Sequence, residues 1–310
     1  MTERVAVLGG GAAGVVAASY LSRDPRFTVE LLECSDRLGG LHRGTHIDGI
    51  ALDIGAFLFS SEHEMLAAFP AVRDRFVRVS PQYVRVTPQG SFDRYPLSLA
   101  GFRRDHGLGT TCLALADLAV SKVRDRARAS VREFASYYMG RSIYQKSGLP
   151  QYLRRLYGMD DTEIALDFAL QRLTSLRDYT FTNAVKRLLQ RFHAFARRLP
   201  PFKLLARPLG GFEQVYDEIA DELRANGVNI ETSLRLTRIE RDDGFVVHSD
   251  RGARRYEHLI STIPMPSTLS LLGIEPQGTY DAMDLYSLYF RGRVIPGGDV
   301  YYNFTNDGLW

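Results

Sequence analysis

Three glycines near the start of the chain have the spacing of a nucleotide-binding turn. Gly9, Gly11 and Gly14 fit the pattern G-x-G-x-x-G, and an acidic residue, Glu33, follows 19 residues after the third glycine. In such a turn the first glycine permits the tight bend, the second lets the backbone approach a pyrophosphate, and the third allows a helix to pack closely on a strand. The pattern therefore predicts a dinucleotide site.

The segments around these glycines have the patterns of a strand, a helix and a second strand. Residues 4–8 and 28–32 predict short buried strands, and the helix between them opens with Ala12 and Ala13. Free N–H groups at that helix N-terminus would face the pyrophosphate, and Glu33 would accept hydrogen bonds from the adenosine ribose. Because glycines interrupt the apolar run, we interpret it as this turn and not as a signal peptide.

The composition is typical of a globular protein that can form two domains. Of the 310 residues, 45% are hydrophobic and 24% are charged, and the apolar runs are too short to span a bilayer. The two cysteines, Cys34 and Cys112, indicate no disulfide framework, so we expect a cytoplasmic protein. The histidines and cysteines lack the spacing of metal ligands, so we expect no metal site. No Ser-His-Asp set for nucleophilic catalysis is recognisable either.

A second glycine pair follows Glu33 after a few residues. Arg37 and then Gly39 and Gly40 precede an extended stretch that reaches "DIGA" at residues 53–56. The arrangement E-x-x-x-R-x-G-G resembles the extended FAD signature of the superfamily that includes amine oxidases, protoporphyrinogen oxidases, phytoene desaturases and UDP-galactopyranose mutases. The resemblance implies FAD as the cofactor, with contacts from Arg37, Gly39, Gly40, Gly55 and Ala56.

The same resemblance implies an α/β fold, in which an FAD/NAD(P)-binding Rossmann-like domain is joined by a second, largely helical plus sheet substrate domain. We predict that residues 1–61 and 208–275 form the FAD-binding domain. Residues 62–207 would form the mostly helical part of the substrate domain, interrupted by a hairpin that turns at residues 88–90. Residues 276–310 would form an incomplete substrate-domain sheet.

The pattern of the FAD-binding domain resumes late in the chain. Gly210 and Gly211 precede an amphipathic helix that ends at Asn226 and Gly227, a left-handed stop signal. In the superfamily, the backbone of a following strand, here "LRLTRI", reaches the adenine. The resemblance thus implies two further cofactor candidates, Leu236 and Thr237.

Two residues are candidates for the substrate side of the flavin. Phe57 stands where galactopyranose mutases of this superfamily carry a histidine, and a phenylalanine can pack against the flavin ring but cannot transfer a proton. Arg172 matches an arginine that ends a substrate-domain helix in the protoporphyrinogen oxidase and galactopyranose mutase branch, or it is a surface arginine at a helix end. Tail tyrosines such as Tyr301 and Tyr302 line a substrate cavity or, more commonly, fill a sheet face.

Basic residues are concentrated in the middle of the chain. Residues 120–207 carry 18 Lys and Arg against 7 Asp and Glu, although the net charge of the whole chain is only +3. Such a region is a solvated helical face, or it attracts an anionic small-molecule substrate or an acidic membrane. Residues 181–199 have the pattern of a basic amphipathic helix, for which packing in a domain core is favoured over peripheral membrane contact. No RNA-binding motif is present, so we expect no nucleic-acid partner.

The resemblance implies an FAD-dependent oxidoreductase that removes two electrons from a small organic substrate through flavin N5. Two alternatives stay open: a flavin-dependent nucleotide-sugar mutase, and a non-catalytic nucleotide-binding partner subunit. The chain matches only the first two-thirds or so of a superfamily member, without the C-terminal segment that closes the FAD site. We therefore expect that the chain is a fragment, that a partner supplies the rest of the site, or that FAD is held loosely.

Overall fold

The chain forms two compact units in a computed structural model. The first unit contains residues 1–80 and 200–294, and the second contains residues 81–199 and 295–310. The residues that the structure describes are 2–54, 58–124, 129–173, 204–278, 280, 288 and 300–305.

The described residues form short strands and helices. In chain order, the strands are β1 (Glu3–Leu8), β2 (Phe27–Leu32), β3 (Gly44–Ile47), β4 (Ile50–Asp53), β5 (Leu58–Ser60), β6 (Val77–Val79), β7 (Tyr83–Val86), β8 (Phe92–Arg94), β9 (Leu204–Ala206), β10 (Asn229–Glu231), β11 (Leu236–Arg241), β12 (Phe245–Ser249), β13 (Gly252–Tyr256), β14 (His258–Ser261) and β15 (Val300–Asn303). The helices are α1 (Ala12–Ser22), α2 (Glu64–Ala68), α3 (Leu99–Arg124), α4 (Val131–Met139), α5 (Arg141–Lys146), α6 (Leu149–Tyr157), α7 (Leu166–Arg172), α8 (Glu213–Ala225) and α9 (Met265–Leu271). Two 3-10 turns cover Gly40–His42 and Pro70–Arg75.

A parallel sheet with the strand order β10-β2-β1-β14 forms the centre of the first unit. β1 pairs with β2 on one side and with β14 on the other, so that Val5 lies opposite Val29 and His258. The residues of β1 from Val5 to Leu8 are almost fully buried, as expected for a central parallel strand that is covered on both faces. Since β10 and β14 lie late in the chain, two distant parts of the sequence build one sheet.

Helices α1 and α8 contribute to the core on one face of this sheet. Val215, Ile219 and Leu223 of α8 are fully buried in a cluster that includes residues of β1 and α1. Their spacing places them on one side of the helix. Gly227 follows the helix with a φ of 82°, which confirms the predicted stop.

Smaller sheets complete the first unit. β5 and β6 both pair with β9 in antiparallel fashion. Because of this pairing, the first part of the unit continues to residue 80, whereas the sequence placed the domain boundary at residue 61. β11, β12 and β13 form an antiparallel sheet whose buried side chains pack with Ala6 and Leu8, on the face of β1 opposite to α1.

The second unit combines a three-stranded sheet with helices α3 to α7. β7 and β8 form the predicted hairpin, in which Gly90 has a φ of 77°, and β15 pairs in parallel with β7. Arg85 of β7 is buried and donates hydrogen bonds to Asp93 (3.0 Å) and to the carbonyl of Ser147 (2.6 Å). α3 is interrupted at Gly107, whose φ of 81° and ψ of 168° are not helical.

Aromatic side chains of the tail fill one face of this sheet. Phe304 is fully buried, and the ring of Tyr302 stacks on that of Tyr95 with centroids 4.4 Å apart. Both residues pack in the core of the second unit, whereas Tyr301 is partly exposed. Among the helices of the described residues, none is both long enough and apolar enough to cross a membrane.

Candidate functional site

The glycine turn joins β1 to α1 and leaves the N-terminus of α1 open. Gly9 has a φ of 97°, and a Cβ on Gly14 would lie 1.8 Å from the Gly9 carbonyl oxygen, so only glycine permits this approach of helix and strand. No side chain caps α1, and no acidic residue lies in its first turn. Gly11 and Ala12 are half-buried and Ala13 is exposed, so N–H groups of this turn can reach a ligand anion.

Glu33 lies beside this turn at the carboxyl end of β2. Its Oε2 accepts a hydrogen bond from the N–H of Gly10 (2.6 Å), and its Oε1 accepts one from the N–H of Ser35 (2.8 Å). Burial raises the pKa of the Glu33 carboxyl, but these hydrogen bonds outweigh burial and hold the pKa below its ordinary value. The carboxylate is therefore charged at neutral pH, and its remaining lone pairs can accept hydrogen bonds from hydroxyl groups.

The loop after β2 brings the second glycine pair onto the first turn. The N–H of Gly39 donates a hydrogen bond to the carbonyl of Gly10 (2.9 Å), and a Cβ on Gly40 would lie 3.0 Å from the Cα of Gly11. Gly39 and Gly40 have φ values of 127° and 53°, which other residues rarely adopt. The two glycine motifs together form one surface built from six glycines and two alanines, which we call the glycine cradle (Gly9–Gly14 with Gly39 and Gly40).

Two arginines lie beside the glycine cradle. Arg37 is half-exposed and forms an ion pair with Glu213 at the start of α8. The Nε of Arg43 donates a hydrogen bond to the carbonyl of Gly40 (3.2 Å). Both arginines line a small cleft, whose lining residues are Arg37, Leu38, His42, Arg43, Gly44, Thr45, Ala51, Asp53, Phe212, Glu213 and Tyr216.

His42 is buried in the lining of this cleft. Its Nδ1 lies 2.8 Å from the hydroxyl of Tyr216, and its ring stacks on Phe212 with centroids 4.6 Å apart. Burial lowers the pKa of His42 from 6.5 to about 4, with a smaller contribution from the nearby His63. His42 is therefore neutral at pH 7, and it connects the second glycine pair to α8.

Asp53 and Arg207 join two other segments at the cleft. Asp53 ends β4, and its Oδ2 lies 2.6 Å from the Nε of Arg207, which follows β9. Arg207 also donates a hydrogen bond to the carbonyl of Ala51 (3.0 Å). Burial raises the pKa of the Asp53 carboxyl, and the charge of Arg207 offsets this only in part. The ion pair fixes the end of β4 to the segment that leads into α8.

The chain before β11 returns to Glu33. The N–H of Leu234 donates a hydrogen bond to the carbonyl of Glu33 (3.0 Å). Two residues further on, Leu236 is half-buried, and Thr237 is exposed. The structure therefore places the start of β11 next to the end of β2, on which the predicted ribose-binding carboxylate lies.

The sequence matches a known protein family over most of its length. The family described as flavin containing amine oxidoreductase matches residues 12–284. This range includes Glu33, the second glycine pair and the strands that return to the parallel sheet. The chain belongs to this family. No curated protein matches the sequence.

Solved structures share the fold of this flavin-containing amine oxidoreductase family member. One is a protein assigned as a protoporphyrinogen oxidase from Exiguobacterium sp. 255-15, with a TM-score of 0.65 and 18% identity over 88% of this chain and 62% of that chain. A second is a reduced UDP-galactopyranose mutase, with a TM-score of 0.65 and 20% identity over 88% of this chain and 57% of that chain. A third is a putrescine oxidase with redesigned cofactor binding, with a TM-score of 0.54 and 17% identity over 88% of this chain and 60% of that chain. The similarity confirms the predicted α/β fold. The chain spans about three fifths of the length of these structures.

Some predicted site residues of this family member are brought together, and others lie outside the described residues. The first group contains Gly9, Gly11, Ala12, Ala13, Gly14, Glu33, Arg37, Gly39 and Gly40. Outside the described residues are Gly55, Ala56, Phe57, the side chain of Arg172 at the end of α7, and the predicted basic helix over residues 181–199. Within the described parts of the chain, no group of three or more His, Cys, Asp and Glu residues could hold a metal ion.

Sequence patterns missed the side chains that connect α8 to the glycine cradle. Glu213 pairs with Arg37, and Tyr216 contacts His42 across 174 positions of the sequence. Such pairs have no local periodicity, because each partner is a single polar or aromatic residue in a distant segment. The available signal was the glycine pair before α8, since Gly211 has a φ of 83° and would place a Cβ 3.0 Å from that of Ala51.

Proposed function

We propose that this chain acts as an FAD-dependent oxidoreductase that carries out a two-electron oxidation of a small organic substrate. The observation that carries the proposal is the glycine cradle at the open N-terminus of α1, with the charged Glu33 beside it. A turn that only connects a strand to a helix needs glycine at position 14 for packing. It does not need a second glycine pair and a buried carboxylate at the same place.

The described residues fit a dinucleotide that contains a pyrophosphate and a ribose. The N–H groups at the start of α1 would donate hydrogen bonds to the pyrophosphate. The close approach of Gly40 to Gly11 brings the second glycine pair to the same place. Glu33 accepts hydrogen bonds from the ribose hydroxyl groups. Arg37 supplies a positive charge near the cradle. When bound, the flavin supplies the two-electron acceptor for the oxidation at its N5 atom.

Two residues remain our proposals for the substrate side. Phe57 offers an apolar surface to the flavin ring and cannot donate a proton. Arg172 offers a cation to an anionic substrate group. Both assignments rest on the match of these positions to the superfamily pattern.

The visible absorbance spectrum of the purified protein tests the proposal. We expect a yellow protein that releases FAD on denaturation, identified by chromatography. A protein that stays colourless after incubation with excess FAD would contradict the proposal and favour a non-catalytic scaffold.

Removal of the Glu33 carboxylate tests the site itself. Glu33→Ala removes the acceptor of the ribose hydroxyl groups, so we expect FAD binding to weaken by about 1–3 kcal/mol in a fluorescence titration. Glu30→Gln is the matched control, because Glu30 is also buried on β2 but pairs with Arg4 (2.6 Å) and Tyr256 (2.9 Å) away from the cradle. We expect the control to lower stability and keep FAD affinity. An FAD affinity that is unchanged in Glu33→Ala would contradict the assignment of Glu33 to the ribose.

A flavin-dependent sugar mutase is the second candidate. The basic excess of residues 120–207 favours it, because arginines hold sugar-nucleotide diphosphates well. Phe57, which stands in place of a histidine, disfavours the mutase. The two candidates differ in oxygen consumption and in the redox state of the flavin that they require. An oxidase consumes oxygen during turnover, whereas a mutase consumes none and requires prior reduction of the flavin. Oxygen uptake with candidate amine substrates, and turnover of a sugar nucleotide after dithionite reduction, separate the two.

A further inference from the structure

The outward face of α3 is apolar over about four helical turns. Beyond the interruption at Gly107, the side chains of Leu108, Leu113 and Val120 are 65%, 74% and 53% exposed. Between these three aliphatic residues, the same face carries only Gly109, Cys112, Ala116 and Ala119, which are also exposed. We call these seven residues the α3 face.

The charged and polar residues of this part of α3 point elsewhere. Thr111 and Ser121 are buried, and the hydroxyl of Ser121 donates a hydrogen bond to the carbonyl of Leu118 (2.8 Å). The carboxylate of Asp117 accepts a hydrogen bond from the N–H of Ser142 (2.8 Å). All residues from 108 to 120 are described, and none of the exposed ones is charged. This is the reverse of the usual pattern, in which a surface helix turns its polar side to water.

An exposed apolar face of this kind marks a surface that binds a protein or a membrane. The charges beside the face indicate which of the two it binds. Arg103 is exposed before the α3 face, and the sequence from 122 to 128 contains Lys122, Arg124, Arg126 and Arg128 against one acidic residue. Basic residues therefore flank the α3 face on both sides in the sequence.

This charge distribution disfavours a second copy of the chain as the occupant. In a parallel or an antiparallel pairing of two α3 helices, basic ends would meet basic ends, and like charges repel. A bilayer with anionic headgroups is complementary, because its acyl region accepts the aliphatic side chains and its phosphates attract the basic ends. No described helix is suited to crossing the membrane, so the complementary geometry is a helix that lies on the surface.

We propose that the α3 face is a docking surface for an anionic lipid bilayer. α3 lies in the plane of the headgroups, with Leu108, Leu113 and Val120 at the acyl boundary. Arg103 and the C-terminal end of α3, where the sequence carries Lys122 and Arg124, face the phosphates. The proposal concerns the second unit and does not depend on the flavin assignment of the first.

Sedimentation with lipid vesicles tests the docking surface in the full chain. We expect the protein to pellet with phosphatidylcholine vesicles that contain about 30% phosphatidylglycerol, to pellet poorly with phosphatidylcholine alone, and to be released by salt. Leu113→Glu places a charge in the centre of the face, so we expect the partition coefficient to fall about tenfold or more. Because Leu113 is exposed, this variant should fold, which circular dichroism checks.

Ile274→Glu is the matched control, because Ile274 is also a largely exposed aliphatic residue but lies in the first unit. We expect its vesicle binding to equal that of the unaltered protein. Three outcomes overturn the proposal: no binding to anionic vesicles, equal binding by Leu113→Glu and the unaltered protein, or a dimer in light scattering that Leu113→Glu converts to monomer. The last outcome would assign the α3 face to a second copy of the chain.

Discussion

Two buried titratable side chains near the glycine cradle respond differently to burial. Glu33 receives backbone hydrogen bonds from Gly10 and Ser35, which favour the charged form and lower its pKa. His42 has a neutral tyrosine hydroxyl and an aromatic ring as its neighbours, so burial is not compensated and its pKa falls to about 4. At neutral pH the site therefore combines a charged carboxylate with an uncharged imidazole.

The buried His42 predicts a loss of stability in mild acid. Between pH 6.5 and about 4, the unfolded chain binds a proton at this residue and the folded chain does not, so stability falls as the pH falls. We expect the free energy of unfolding to lose about 2 kcal/mol from this residue between pH 7 and about pH 4.5. In His42→Phe, which keeps an aromatic ring next to Phe212, this part of the loss should disappear. Urea denaturation at both pH values measures it, and identical pH dependences would contradict the prediction.

At the scale of elements, the glycine cradle depends on the approach of three segments. α1 reaches β1 because Gly14 has no side chain, and the loop after β2 reaches α1 because Gly40 has none. His42 and Arg37 then connect this loop to α8. The cradle is therefore a product of packing between elements and not of one motif.

Gly14→Ala tests this packing. The added methyl group would lie 1.8 Å from a backbone oxygen that cannot move aside, so we expect a loss of about 3 kcal/mol in stability, together with weaker FAD binding. Gly109→Ala is the control, because Gly109 lies in α3 and a methyl group added there would have no heavy atom within 4 Å. Alanine favours the helix at this position, so we expect a gain of about 0.5–1 kcal/mol. Equal thermal shifts in the two variants would contradict the packing argument.

At the scale of the whole molecule, two units with separate cores share one chain. The core of the first unit is formed by β1, β2, α1 and α8, which come from both ends of the sequence, and the second unit has its own aromatic and aliphatic core. A ligand that binds only the folded first unit stabilises that unit by mass action.

Hydrogen exchange with and without FAD checks this expectation. We expect FAD to slow exchange at the glycine cradle and at β2, while the amides of α4 and α6 change little. At about 100 times the dissociation constant, the added protection should approach about 2.7 kcal/mol in the amides that exchange by unfolding of the first unit. Protection in α4 and α6 without protection in the cradle would contradict the placement of the site.

Local sequence determined the elements and several site residues. The apolar runs, the glycine spacing and the terminal Gly227 predicted β1, α1, β2, α8 and the β7–β8 hairpin, because each signal lies within a short window of residues. The same window contained Glu33 and the second glycine pair. The family assignment followed from these residues and was confirmed.

Only the tertiary structure decided which distant residues meet. It brought Glu213 to Arg37 and Arg207 to Asp53. It also paired β5 and β6 with β9, and the first part of the first unit extends to residue 80. It also showed that the apolar side of α3 faces outward. Helical periodicity predicts that a helix has an apolar side, but packing of the whole chain determines whether that side is buried.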